Sequence, residues 1–226
     1  MKKLCFFLAC LICFFILSGC EYQDASYYQY EENEDGTVTI VGISETYSKK
    51  LKIPETLDGK TVSAIGKYAF YNNDYIREII LPDSVTEIGE CAFADANMLN
   101  TVTLGENCKV IGLQAFEGCD VLSEINLSEN LETVSDLAFN GCIRLDEFNA
   151  PASLKSIGVG AFDNCEQLIM ITENSTVAAE YAKTNRIPTG FASSDGYIIL
   201  KLILWIVAAL VVILTVGYLL KKRTKK

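Results

Sequence analysis

The chain has 226 residues, half of them hydrophobic, with 19 basic side chains, 29 acidic ones and no histidine. Without histidine there is no Ser-His or Cys-His pair, no imidazole proton shuttle near neutral pH and no His-containing zinc site. The formal charge of -10 argues against nucleic acid as a partner, because affinity there comes largely from neutralising phosphates.

The N-terminal segment MKKLCFFLACLICFFILSGC sets two lysines before an apolar run over 4–17 and ends in Leu17-Ser18-Gly19-Cys20. This is secretory signal anatomy. Its last four residues resemble the bacterial lipobox, in which the signal is cut before the cysteine and that cysteine carries the lipid. Residues 1–19 are read as a lipoprotein signal peptide and Cys20 as the lipid attachment site. Residues 20–36 come next, rich in acids and tyrosines with no apolar periodicity, and read as a flexible acidic tether.

Residues 37–60 contain the alternating stretch Thr37-Val38-Thr39-Ile40-Val41 and an Asp58-Gly59-Lys60 turn, and are expected to form an N-terminal capping hairpin and first strand. From there to 174 the sequence repeats. Ala-Phe recurs at 69, 92, 115, 138 and 161, each 23 residues after the last, and Ile-Gly keeps the same spacing from Ile65, with Val134-Ser135 as its one variant. Further columns hold Ile76, Leu99, Leu122, Leu145 and Leu168, and Ile79, Val102, Ile125, Phe148 and Ile171. Each copy contains a short strand with one buried face. A unit this small cannot bury that face alone, so copies stack with parallel strand pairing about 4.8 Å apart, and like residues form ladders. The phenylalanines are expected to stack on the wall opposite the strands. The glycine after each isoleucine suits a corner where a side chain would crowd the next coil.

The pattern I-G-x-x-A-F followed by x-x-L-x-x-I-x-L-P resembles the BspA-like, or Treponema-type, leucine-rich repeats over about 51–172. The resemblance implies a right-handed leucine-rich-repeat solenoid of about five 23-residue copies, mostly β with irregular or short helical turns, its parallel sheet lining a concave face. It also implies a cell-surface protein that adheres to other proteins.

After the last copy, Ser175 can cap a short helix within 175–188, striped by Val177, Ala178, Tyr181 and Ala182, which would close the C-terminal coil. A linker over 189–196 leads to 197–220, where 202–220 are uncharged. That length suits one transmembrane helix. The tail KKRTKK at 221–226 then marks the cytoplasmic side, with the middle of the chain outside the cell. Both ends carry bases and no acids, so residues 21–196 hold 11 bases against 29 acids, a net charge of -18. Such a surface favours basic partners and disfavours polyanions.

Five cysteines remain outside the signal. Cys119, Cys142 and Cys165 share a column with Asn73 and Ala96, and Cys108 shares one with Val85, Leu131 and Leu154, so they read as packed, unpaired thiols. Cys91 is expected to be the more exposed. The sequence offers no catalytic residues, no metal site and no cofactor. The candidate partner-binding residues are the outward positions of the strands, in two columns: Glu78, Thr101, Glu124, Glu147 and Met170, then Ile80, Thr103, Asn126, Asn149 and Thr172. They imply a protein or peptide ligand. The alternative is a membrane-anchored scaffold or accessory subunit for other envelope proteins.

Overall fold

The computed structural model describes residues 25–44 and 49–190. The readings of 1–19 as a signal, Cys20 as a lipid site, 191–196 as linker, 197–220 as a membrane span and 221–226 as a tail lie outside the described residues. Among the described residues no helix is long and apolar enough to cross a membrane. The chain divides into two units, Met1–Thr189 and Gly190–Lys226, and the first holds the solenoid.

The solenoid opens with strand β1 (Tyr28–Glu32) antiparallel to β2 (Val38–Ile43). This corrects the reading of 20–36 as tether throughout: the capping hairpin takes its first strand from that segment. The signal was an alternation. Tyr28 and Tyr30 sit two apart, Tyr28 is buried, and the Tyr30 hydroxyl donates to Asp58 Oδ2 at 2.5 Å. Asp35 Oδ1 closes the turn by accepting from the Thr37 amide (2.9 Å) and hydroxyl (2.6 Å), and these bonds hold its carboxyl below the usual range. A second hairpin joins β4 (Thr56–Leu57) to β5 (Lys60–Ile65) through Asp58 and Gly59, whose φ of 49° and 79° give the twist that tight hairpins favour.

Each coil then has three walls. The first is a parallel sheet in which β3 (Lys50–Lys52), β6 (Glu78–Ile80), β8 (Thr101–Thr103) and β10 (Glu124–Asn126) pair in strict register, so that Leu51, Ile79, Val102 and Ile125 form one buried ladder. It continues with β12 (Glu147–Asn149) and β14 (Ile169–Ile171), which form a separate sheet. The second wall had no counterpart in the sequence reading. The Ile-Gly columns are themselves two-residue strands, β7 (Glu87–Ile88), β9 (Val110–Ile111), β11 (Thr133–Val134) and β13 (Ser156–Ile157), pairing in parallel onward from β5. The third wall is made of turns carrying the Ala-Phe pairs, where the first four phenylalanine N–H groups donate to the alanine carbonyl one coil on, as in Phe116 to Ala138 at 2.8 Å, and that of Phe162 donates to the Tyr181 hydroxyl at 3.4 Å. Phe70, Phe93, Phe116, Phe139 and Phe162 stack behind it with centroids 5.0–5.2 Å apart and planes within 8°.

Coil-to-coil contact is tightest at Gly105, where an added Cβ would lie 2.0 Å from the Pro82 carbonyl oxygen. Backbone on both sides leaves nothing flexible to move. Gly105→Ala is expected to cost about 3 kcal/mol, the upper end for overpacking. Gly36→Ala, which needs φ of 82° but meets no atom within 4 Å, should cost only about 1 kcal/mol. Urea midpoints of the two variants check the order.

The Cys119, Cys142 and Cys165 thiols donate to the carbonyls of Phe93, Phe116 and Phe139 at 3.1–3.2 Å, a second ladder beside the rings. Cys91, expected to be the exposed one, is buried, its Sγ 3.9 Å from Gln114 Oε1, while Cys165 is the more open thiol. The left-handed backbone at Cys91 (φ 51°) turns its side chain beneath the next coil. Helix α1 (Thr176–Asn185) covers the last coil: Ser175 Oγ accepts from the Ala178 amide at 3.2 Å, and Ala178 and Ala182 face inward.

Candidate partner-binding face

Because successive strand side chains alternate sides, burying the middle residue of each three-residue strand forces its neighbours outward. Glu78 and Ile80 flank buried Ile79; Thr101 and Thr103 flank Val102; Glu124 and Asn126 flank Ile125; Glu147 and Asn149 flank Phe148. Strict register from β6 to β10 places six of these residues in two columns, and Glu147 and Asn149 follow on β12, which pairs with β14 and not with β10.

The last coil departs from the columns. Met170 pairs with Phe148 and is fully buried, so it is not an outward residue, and Thr172 falls beyond the strand. Ile169 takes an exposed place instead, while Ile171 is buried like Met170. Register is specified by alternation, and Ile169-Met170-Ile171 is apolar at every position, so the slip of one residue meets no penalty from misplaced polar groups.

Neighbouring columns talk to one another. Lys50 Nζ lies 2.7 Å from Glu78 Oε1, a partly exposed pair that contributes little to stability. The Asn126 amide donates to Glu124 Oε1 at 3.1 Å and to Thr103 Oγ1 at 3.4 Å, bridging β10 and β8. The face is therefore polar and acidic, with its basic residues confined to the β3 edge at Lys50 and Lys52.

One feature of this wall was not anticipated. The sheet stops at β10 and restarts at β12, with no main-chain pairing between them. The cause is legible one residue inward: Phe148 stands where the other coils carry Ile79, Val102 and Ile125. Its ring wedges edge-on against Phe139 (5.9 Å) and Phe162 (4.7 Å), and β12 stands off from β10 to accommodate it. The parted strands enclose a cleft of about 370 Å3 lined by Ser123, Glu124, Ile125, Asn126, Asp146, Glu147 and Asn149. Ser123 and Asp146 were not among the candidates, because they precede the strands by one residue and show no periodic pattern. No group of three or more His, Cys, Asp or Glu among the described residues is arranged to hold a metal ion.

The family model described as "BspA type Leucine rich repeat region" matches residues 44–177 in six copies. A solved leucine-rich-repeat protein of T. pallidum is 27% identical, with a TM-score of 0.65 over 67% of this chain and 72% of its own. Another, from Bacteroides ovatus, is 32% identical with a TM-score of 0.58, over 65% of this chain and 39% of its own. No curated protein matches.

Proposed function

Because the chain belongs to the BspA-type leucine-rich-repeat family, we propose that it is a membrane-anchored cell-surface protein whose outward strand columns bind a protein partner without catalysis. The anchors in this reading are a lipid on Cys20 and a single helix over 197–220, which leave the solenoid outside the cell and the basic tail inside. The observation that carries the reading is the acidic, hydrogen-bonding face of Glu78, Thr101, Thr103, Glu124 and Asn126, held in register by a buried ladder, with Glu147 and Asn149 beside it on β12. A fixed array of this kind suits a surface of opposite charge, and repeat solenoids use such extended faces for binding.

The test is capture of proteins by the tagged full-length chain from host matrix and from envelope extracts, beside a chain carrying Thr101→Lys, Thr103→Lys and Glu124→Lys. Adhesion predicts matrix proteins captured by the first chain and lost from the second. Envelope proteins alone, captured equally by both, would replace adhesion with the scaffold role.

A further inference from the structure

We propose that the gap between β10 and β12 is a socket for an extended, basic segment of the partner protein, an inference that rests on the partner-binding reading above. Elsewhere on this wall the main chain is satisfied coil to coil. The Leu81 and Leu104 amides donate to the Thr103 and Asn126 carbonyls at 2.9 Å, and the Arg77, Asn100 and Ser123 amides donate to Lys49, Arg77 and Asn100 at 2.8–3.0 Å. The equivalent amides at the gap, Leu127 and Asp146, have no main-chain partner. They stand at opposite ends of the cleft, one after β10 and one before β12, as two donors waiting for carbonyl oxygens. β10 and β12 still approach within 8 Å of each other, too close for a strand between them, so the bound segment lies across the mouth of the cleft and offers its carbonyl oxygens to the two donors from outside.

Charge selects the sequence of that chain. Glu124, Asp146 and Glu147 line the cleft with no basic residue among the lining side chains. The surrounding unit is strongly acidic as well, so a lysine or arginine is drawn in and an acidic segment is repelled. The volume corresponds to about a dozen waters at about 30 Å3 each, room for one long side chain and the backbone that bears it. The carboxylates are spread along two strands, not converged on a point, which matches a guanidinium fork better than a compact ion.

The probe is the peptide acetyl-Val-Arg-Val-Arg-Val-amide, with acetyl-Val-Glu-Val-Glu-Val-amide as its control, titrated against the isotopically labelled full-length chain in detergent micelles. Amide shifts and hydrogen exchange are read by NMR. Saturable shifts at Leu127 and Asp146, with exchange there slowed about tenfold, are expected for the arginine peptide alone. The chain with Glu124→Gln, Asp146→Asn and Glu147→Gln, all on the surface, should bind it at least about tenfold more weakly. Phe148→Ile should let β12 pair with β10, protecting the same two amides without peptide and abolishing binding. Undiminished binding by the triple variant overturns the socket, as does no binding at all. Saturation of the same amides by calcium chloride alone overturns it in favour of a cation site. Shifts centred on Thr101 and Thr103 overturn the socket too, yet leave the wider face as a binding surface, so the two readings fail separately.

Discussion

Phe116→Ala is expected to lower the free energy of unfolding by about 3–5 kcal/mol, the range for truncating a fully buried phenylalanine. The ring is inaccessible to solvent and stacked on both sides, 5.1 Å from Phe93 and 5.2 Å from Phe139. Its removal leaves a cavity that the walls cannot close, because each is pinned by coil-to-coil hydrogen bonds. A solenoid is stabilised by interfaces between neighbours only, so a cavity at the third rung of five weakens two interfaces at once and uncouples the halves. Urea unfolding followed by near-UV absorption and by backbone circular dichroism should then lose its coincidence. Phe116→Leu, nearer in volume, should cost about 1 kcal/mol and keep one transition. Tyr71→Ala, on a side chain 51% exposed, should change stability by no more than about 0.5 kcal/mol. Equal costs for Phe116→Ala and Tyr71→Ala would mean that the ring ladder is not the core.

The same stacking explains which parts of the molecule were legible in its sequence. In a solenoid each column is one environment sampled several times, so Ala-Phe at constant spacing reports burial as a homologous alignment would. The inward ladder, the phenylalanine wall and the close glycine contacts follow from that. What stayed hidden lies where copies differ. Tyr28 and Tyr30 join the cap from outside the repeat, so no column contained them. The two-residue strands at the Ile-Gly step are too short for any alternation to register. At Ile169-Met170-Ile171 the spacing of 23 placed Ile171 inward, but three apolar residues in a row leave the choice to packing, and Met170 took the core position. The gap in the wall was visible only as a change of residue type, Phe148 among aliphatics, which gives the presence of a perturbation and not its direction.

Raising the pH above 9 should destabilise the solenoid steeply through its buried thiols. Burial pushes Cys108, Cys119 and Cys165 up to about 12 from the ordinary 9.0, and raises Cys142 well above it. The folded state thus holds these protons while the unfolded chain releases them from pH 9 upward. The stability they contribute is intact below pH 9 and falls as pH rises toward 12, by about 1.4 kcal/mol per pH unit for each thiol. At pH 10 the three thiols held near 12 together remove roughly 4 kcal/mol, a large part of the net stability of a small domain, and Cys142 acts in the same direction. Lysine and tyrosine ionisation also acts in this range, so the decisive comparison is with a chain carrying Cys119→Ala, Cys142→Ala and Cys165→Ala. Alanine already fills that column at Ala96, which is buried, and the Phe93, Phe116 and Phe139 carbonyls keep main-chain donors from Ala96, Cys119 and Cys142. The substitutions therefore remove the titrating groups with little damage to packing. Urea midpoints measured in reductant at pH 8, 9 and 10 should fall much less steeply for the alanine chain, because only Cys108 of the four remains. Parallel slopes for the two chains would show that the thiols do not govern alkaline unfolding and that these sites are more open to water than the ladder of Sγ-to-carbonyl bonds implies.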